Sequence, residues 1–122
     1  MKINFVEPVM LDPDRLVELC VEMGQDGTEA LLNGTLDQLN AGLRELDILY
    51  QTQRWQSIGA QAELLSQLAS NAGMTTFARV TRHVVDCAAK ERIVPLAATL
   101  SRLHRISDGT LNSVWELGDM MR

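Results

Sequence analysis

Residues 55–77 read WQSIGAQAELLSQLASNAGMTTF and contain two helical patterns joined at a glycine. Apolar residues recur in the first pattern at spacings of three and four, the period of one helix face: Trp55, Ile58, Ala62, Leu65, Ala69 and Ala72. Gly73 suits the left-handed backbone conformation that often follows the last residue of a helix. The stretch therefore predicts a helix over 53–72 and another that begins at a capping Thr75 or Thr76 and ends near Lys90.

The same spacing continues on both sides of this stretch. It predicts a long helix from about 28 to 52 and a last helix from about 92 to 120. Gly34, inside the long helix, is a local weakness that costs about 1 kcal/mol relative to Ala. Residues 107–110 interrupt the last pattern, so a kink and a break are both open there. The expected inward residues of the helices over 28–52, 75–90 and 92–120 are Leu32, Leu36, Leu39, Leu43, Leu46, Tyr50, Phe77, Val80, Val84, Ala88, Ile93, Leu96, Leu100, Leu103, Leu111 and Val114.

A shorter helix is predicted ahead of these. Asp12-Pro13 is a helix start, because the aspartate accepts a free N–H and proline at the first position needs no acceptor. Gly24 marks the stop, and the expected apolar face carries Leu16, Leu19, Cys20 and Met23. The sequence thus predicts one all-α domain over 1–122, an up-and-down four-helix bundle with a short N-terminal helix packed across it.

Composition narrows the class of protein. The 122 residues fit a single domain, and 46% hydrophobic residues with only 4% aromatics favour helix packing over sheets. Cys20 and Cys87 lie inside apolar helical patterns, which indicates free thiols in a reducing compartment. We expect a cytoplasmic protein without a membrane span, and the net charge of −5 argues against nucleic-acid binding.

Charge is unevenly placed along the chain. Acids dominate residues 1–53, whereas residues 78–105 carry an excess of basic side chains: Arg79, Arg82, Lys90, Arg92, Arg102 and Arg105. One interpretation is that acidic and basic helices are neighbours in the bundle and attract one another. The other is a basic flank that steers an acidic partner.

Residues 55–77 also resemble the core signature of histidine phosphotransfer (Hpt) domains, which runs through Ala-His-x-Leu-Lys-Gly to a later glycine. Residues 11–19 resemble the opening helix of many such domains. This sequence differs at the three positions that carry the chemistry of the signature: Glu63 replaces the histidine, Ser66 the lysine and Gln67 the glycine. The scaffold positions of the signature are in register without a gap: Trp55, Ala62, Leu65, Ala69, Gly73 and Phe77.

The resemblance implies a signalling role in two-component phosphorelays. In an intact Hpt domain an exposed imidazole accepts phosphate from a receiver-domain aspartyl phosphate, and the lysine balances charge. An ionised Glu63 cannot form a phosphohistidine and repels a phosphoryl group. We therefore expect a module that binds a response-regulator receiver domain or a histidine kinase, that is not an enzyme, and that needs no cofactor.

The expected partner surface surrounds Glu63, which lies about 140° from the centre of its helix's apolar stripe and should be exposed. Short or uncharged neighbours would let a partner backbone approach, and Leu64 adds an exposed apolar group. The predicted contact residues are Gly59, Ala60, Glu63, Leu64, Ser66, Gln67 and Ser70. The alternative is an ordinary solvated helix face.

Two other functions are open. His83 offers an alternative phosphate acceptor, whereas His104 is expected to be a satisfied core or interface residue. A bundle with a purely structural role would instead form a homodimer through the apolar faces, or seams, of the helices over 28–52 and 53–72. No ligand spacing for a metal and no glycine-rich phosphate loop is recognisable in the sequence.

Overall fold

Four helices make up the part of the chain that the computed structural model describes, the backbone of residues 11–121 and the side chains of residues 11–108. They are α1 (Pro13–Gln51), α2 (Trp55–Asn71), α3 (Thr75–Ala89) and α4 (Ile93–Met121). Each helix packs against the next one in the chain, and α4 packs back against α1. The predicted all-α, up-and-down four-helix bundle is confirmed.

The predicted short N-terminal helix forms the first segment of α1. Its start is as expected, since an Asp12 side-chain oxygen accepts the Asp14 backbone N–H at 3.1 Å. At Gly24 the backbone leaves the helical region, with φ 73° and ψ 176°, a conformation that glycine adopts without steric cost. Gly24 therefore interrupts α1 where the sequence predicted a stop, and two helical segments meet there at a kink.

The start of α1 is tied to the turn between α2 and α3. The Asp12 N–H donates to the Gly73 carbonyl at 2.7 Å, and Arg15 Nε donates to the Asn71 carbonyl at 2.9 Å. Gly73 has the predicted left-handed conformation, with φ 76°. A Cβ at Gly73 would also lie 3.2 Å from the Arg15 side chain, so a larger residue is doubly disfavoured.

The core lies between the four helices and contains most of the residues expected to point inward. Met23 and Ile93 are exceptions and are exposed. Met23 directly precedes the kink and Ile93 is the first residue of α4, so neither has a helix packed over it. Buried as predicted are Leu19, Leu32, Leu36, Leu39, Leu43, Leu46, Ile58, Ala62, Leu65, Ala69, Ala72, Phe77, Val80, Val84, Ala88, Leu96, Leu100 and Leu103.

The start of α3 differs from the prediction. Met74 occupies the cap position and makes no side-chain capping hydrogen bond, and Thr75 is already helical. Met74 is fully buried and pairs with Leu11 in an isolated antiparallel bridge. Hydrophobic burial at this corner therefore fixes where α3 begins, in place of a threonine hydroxyl.

Helix α4 is continuous through residues 107–110, where the sequence left a kink or a break open. Two contacts join it to α1: Ser107 Oγ donates to Asn40 Oδ1 at 2.5 Å, and His104 Nε2 lies 3.0 Å from Asp47 Oδ2. Two further residues of α4 that were predicted to point inward, Leu111 and Val114, lie outside the described side chains. None of the helices in the described part is long and apolar enough to cross a membrane.

Close packing of α1 on α2 depends on Gly42. This residue is buried, and a Cβ added to it would overlap the Leu65 side chain. Gly34, two turns earlier in the same helix, has open space around it. The missing side chain at Gly42 lets Leu65 enter the core and thereby orients the remaining faces of α2.

Candidate functional site

Glu63 on the outer edge of α2 and Arg82 on the outer edge of α3 form a bidentate ion pair. Arg82 Nη1 lies 2.5 Å from Glu63 Oε2, and Nη2 lies 2.9 Å from Oε1. Both side chains remain well exposed, 39% for Glu63 and 50% for Arg82. The exposure of Glu63 is as predicted, but sequence reasoning missed its partner, which lies 19 residues away on the next helix.

The ion pair changes the acidity of Glu63. The hydrogen bonds from Arg82 lower the pKa of Glu63 from its ordinary value of 4.5, and a hydrogen bond with Gln67 lowers it further. The carboxylate in turn raises the pKa of Arg82. Glu63 and Gln67, two of the positions at which the sequence differs from the Hpt signature that it resembles, therefore interact with each other.

We expect Arg82→Gln to raise the pKa of Glu63 toward 4.5, because it removes the largest cause of the shift. A carboxyl group whose pKa is lowered by folding contributes stability above its unfolded pKa and loses it as pH falls through the folded pKa. Carbon-detected NMR titration of the Glu63 carboxyl measures the shift. Arg79→Gln, on the same helix, is the control, and an unchanged pKa in Arg82→Gln contradicts the assignment.

Ser66 does not belong to the exposed face where the sequence placed it. It is buried, with 7% of its surface exposed, and its Oγ donates to the Ala78 carbonyl of α3 at 3.2 Å. The reason is that α3 packs over this edge of α2. A serine here links the two helices, so it is unavailable as a partner contact.

The other predicted contact residues form a largely uncharged surface along α2, called here the α2 face. It comprises Gly59, Ala60, Glu63, Leu64, Gln67 and Ser70. Leu64 is 51% exposed, Ala60, Gln67 and Ser70 are exposed, and Gly59 is partly buried. Glu63 is the only ionisable residue between Trp55 and Asn71, and Arg82 neutralises it.

Two shallow grooves border the α2 face. One lies toward α3, measures about 480 Å³ and includes Trp55, Gly59 and Val85 in its lining. The other lies toward α1, measures about 490 Å³ and includes Gly42 and Leu64. The α2 face thus has concave apolar margins on both sides of the Leu64 and Glu63 ridge.

The two histidines lie away from the α2 face. His83 is exposed on α3, and, one residue after Arg82, it is turned by about 100° around the helix. His104 is exposed at the α1–α4 contact, where its Nε2 lies 3.0 Å from Asp47 Oδ2, so of the two expected environments it has the interface between elements and not the core. No cluster of histidine, cysteine or acidic residues suited to a metal ion occurs among the described side chains.

The dimerisation seams proposed from the sequence are occupied within one chain. Leu32, Leu39 and Leu46 of α1, and Ile58 and Leu65 of α2, are buried at 2% exposure or less in the bundle's own core. A homodimer would need other surfaces. Cys20 and Cys87 are free thiols, each partly buried.

Comparison with known proteins supports the fold. No family model matches the chain, and no curated protein matches it in sequence. Among solved structures, it is similar to histidine-containing phosphotransfer protein B from Pseudomonas aeruginosa PAO1, with a TM-score of 0.84 and 18% sequence identity. The match covers 93% of this chain and 97% of that one. The chain therefore has an Hpt-like fold.

Proposed function

We propose that this chain is an Hpt-like module of two-component signalling that binds a receiver domain or a histidine kinase through its α2 face and accepts no phosphate at position 63. The Glu63–Arg82 ion pair carries this proposal. It places a neutralised carboxylate on α2 where the Hpt signature has an imidazole. Receiver domains and histidine kinases are the proposed partners because the fold is Hpt-like.

The chemistry of the pair opposes phosphate transfer. Both carboxylate oxygens of Glu63 accept a hydrogen bond from Arg82, so the carboxylate is held in place. The lowered pKa keeps Glu63 ionised, and an attack on a phosphoryl group would cost the carboxylate these hydrogen bonds. The guanidinium that would otherwise attract phosphate is already paired with Glu63.

The composition of the α2 face suits a protein contact. The centres of protein interfaces are depleted of charged residues and contain apolar anchors. Here Leu64 is the exposed apolar group, and the small residues Gly59, Ala60 and Ser70 leave room for a partner's backbone. The Glu63–Arg82 pair adds hydrogen-bonding groups, and its opposite charges lower the free-energy cost of removing either group from water.

Titration of the ¹⁵N-labelled chain with a panel of receiver domains tests the docking. We expect shifts confined to the α2 face for the true partner, and a loss of at least tenfold in affinity on Leu64→Glu, about 1.4 kcal/mol. Ile48→Glu changes a similarly exposed apolar residue, 54% against 51%, on α1 and outside the α2 face, and is the matched control. Equal losses in both variants, or no binding to any receiver or kinase, would refute the docking proposal.

A further inference from the structure

Most exposed large apolar side chains outside the α2 face fall into two groups of opposite charge. The acidic patch, on the first segment of α1, has Val17 and Val21 at its centre. The basic patch, at the start of α4, has Ile93 and Val94 at its centre. Each patch combines an apolar centre with a rim of one charge, the anatomy of a protein interface.

In the acidic patch, carboxylates surround the two valines. Val21 is 80% exposed, and residues three or four positions apart lie side by side on a helix. The rim consists of Asp14, Glu18 and Glu22, all exposed. The one cation of this segment, Arg15, is engaged with Glu18 at 3.0 Å and with the Asn71 carbonyl, so the rim keeps a negative excess.

In the basic patch the charges are reversed. Val94 is 81% exposed, and the helix carries no ionisable residue from Ile93 to Ser101. Exposed cations stand at both ends of this uncharged stretch, at Lys90 and Arg92 before it and at Arg105 after it. Glu91 is the single acid among them, so this rim has a positive excess although the whole chain has a net charge of −5.

The two patches lie at opposite ends of the bundle. The acidic patch follows the anchor of Asp12 on the α2–α3 turn, whereas the basic patch follows the α3–α4 turn at the other end. One molecule cannot bring them together. We propose that the acidic patch of one copy binds the basic patch of a second copy, with the valines in apposition and the rims paired by charge.

Such a contact joins two different surfaces and is therefore head to tail. Heterologous contacts of this kind extend into a chain of subunits unless the rotation between subunits closes a ring. The α2 face shares no residue with either patch. Self-association would thus place several α2 faces in one assembly, whichever partner they bind.

Complementation between two variants tests the proposal. One variant carries Val21→Lys with Glu22→Lys in the acidic patch, and the other carries Arg92→Glu with Val94→Glu in the basic patch. We expect the wild-type mass by light scattering to rise with concentration, each variant alone to be a monomer, and an equimolar mixture to form a dimer through the two intact patches. Thermal unfolding of each variant confirms that it is folded.

Three results would overturn the proposal. They are a wild-type chain that stays monomeric at every concentration, variants that associate as the wild type does, and a mixture that stays monomeric. Binding of the wild type to anionic lipid vesicles without self-association would assign the basic patch to a membrane surface instead. None of these results depends on whether a receiver domain binds the α2 face.

Discussion

Gly42→Leu is expected to lower the free energy of unfolding by about 3 kcal/mol, the upper part of the range for overpacking a protein core. Even a single added carbon at this position overlaps the Leu65 side chain. Leu65 is buried at 1% exposure, so a leucine at position 42 must either displace the Leu65 side chain toward the shallow groove on the α1 side or move α1 and α2 apart. Chemical denaturation monitored by circular dichroism measures the loss.

Gly34→Leu is the matched control, because it makes the same change in the same helix where nothing lies within 4 Å. Leucine is a better helix former than glycine, so this variant should gain up to about 1 kcal/mol. Equal stability of the two variants would show that α1 and α2 do not approach closely at Gly42. Close packing of α1 on α2 at Gly42 would then no longer explain the orientation of the α2 face.

Ser66→Lys is the second large effect, with an expected loss of about 3 kcal/mol. The serine hydroxyl is bonded to the Ala78 carbonyl in the contact between α2 and α3. A lysine must push its methylene groups into this contact and leave its ammonium group near buried surface. Denaturation with urea or guanidinium gives the change in free energy.

Two variants separate the causes of that loss. Ser66→Ala removes only the hydrogen bond and should cost at most about 1 kcal/mol. Ser70→Lys introduces the same charge one turn further along α2, at an exposed position, and should change stability by less than about 0.5 kcal/mol. If Ser66→Lys is as stable as Ser70→Lys, position 66 is not packed as described.

The burial of Ser66 also bears on any attempt to restore an Hpt signature. Installing the histidine, lysine and glycine together would confound chemistry with destabilisation at position 66. The pair of changes Glu63→His and Gln67→Gly leaves the Ser66 contact intact. This pair releases Arg82 from its carboxylate partner, so the guanidinium becomes available to an incoming phosphate.

The periodicity of the sequence predicted the bundle because the apolar side chains repeat at the helical period over most of its length. The apolar residues that follow this period from Leu32 to Leu46 in α1, and from Ile58 to Ala72 in α2, are buried as the period requires. The sequence placed Ser66 on the exposed face because this residue lies about 70° from the centre of the apolar stripe of α2. At that angle, exposure depends on whether a neighbouring helix covers the residue. A single helix pattern does not contain that neighbour.

The partner of Glu63 was missed for a related reason. In the sequence Arg82 is one of several basic residues over 78–105, and nothing in that pattern pairs it with Glu63. Its pairing depends on the relative position of α2 and α3, which the turn at Gly73 and the burial of Met74 determine. The sequence signal that could have found it was the presence of a single acid on α2 facing a helix with arginines on its outer side.

The central claim is that the chain keeps Hpt-like docking and lacks phosphate acceptance at Glu63. Its most direct test mixes the wild-type chain with a receiver domain that binds it, charged with radiolabelled aspartyl phosphate. We predict a complex by NMR and no phosphate retained on the chain. An acid-labile phosphohistidine that His83→Gln removes would establish the alternative acceptor, and a hydroxylamine-sensitive label that Glu63→Gln removes would contradict the claim outright.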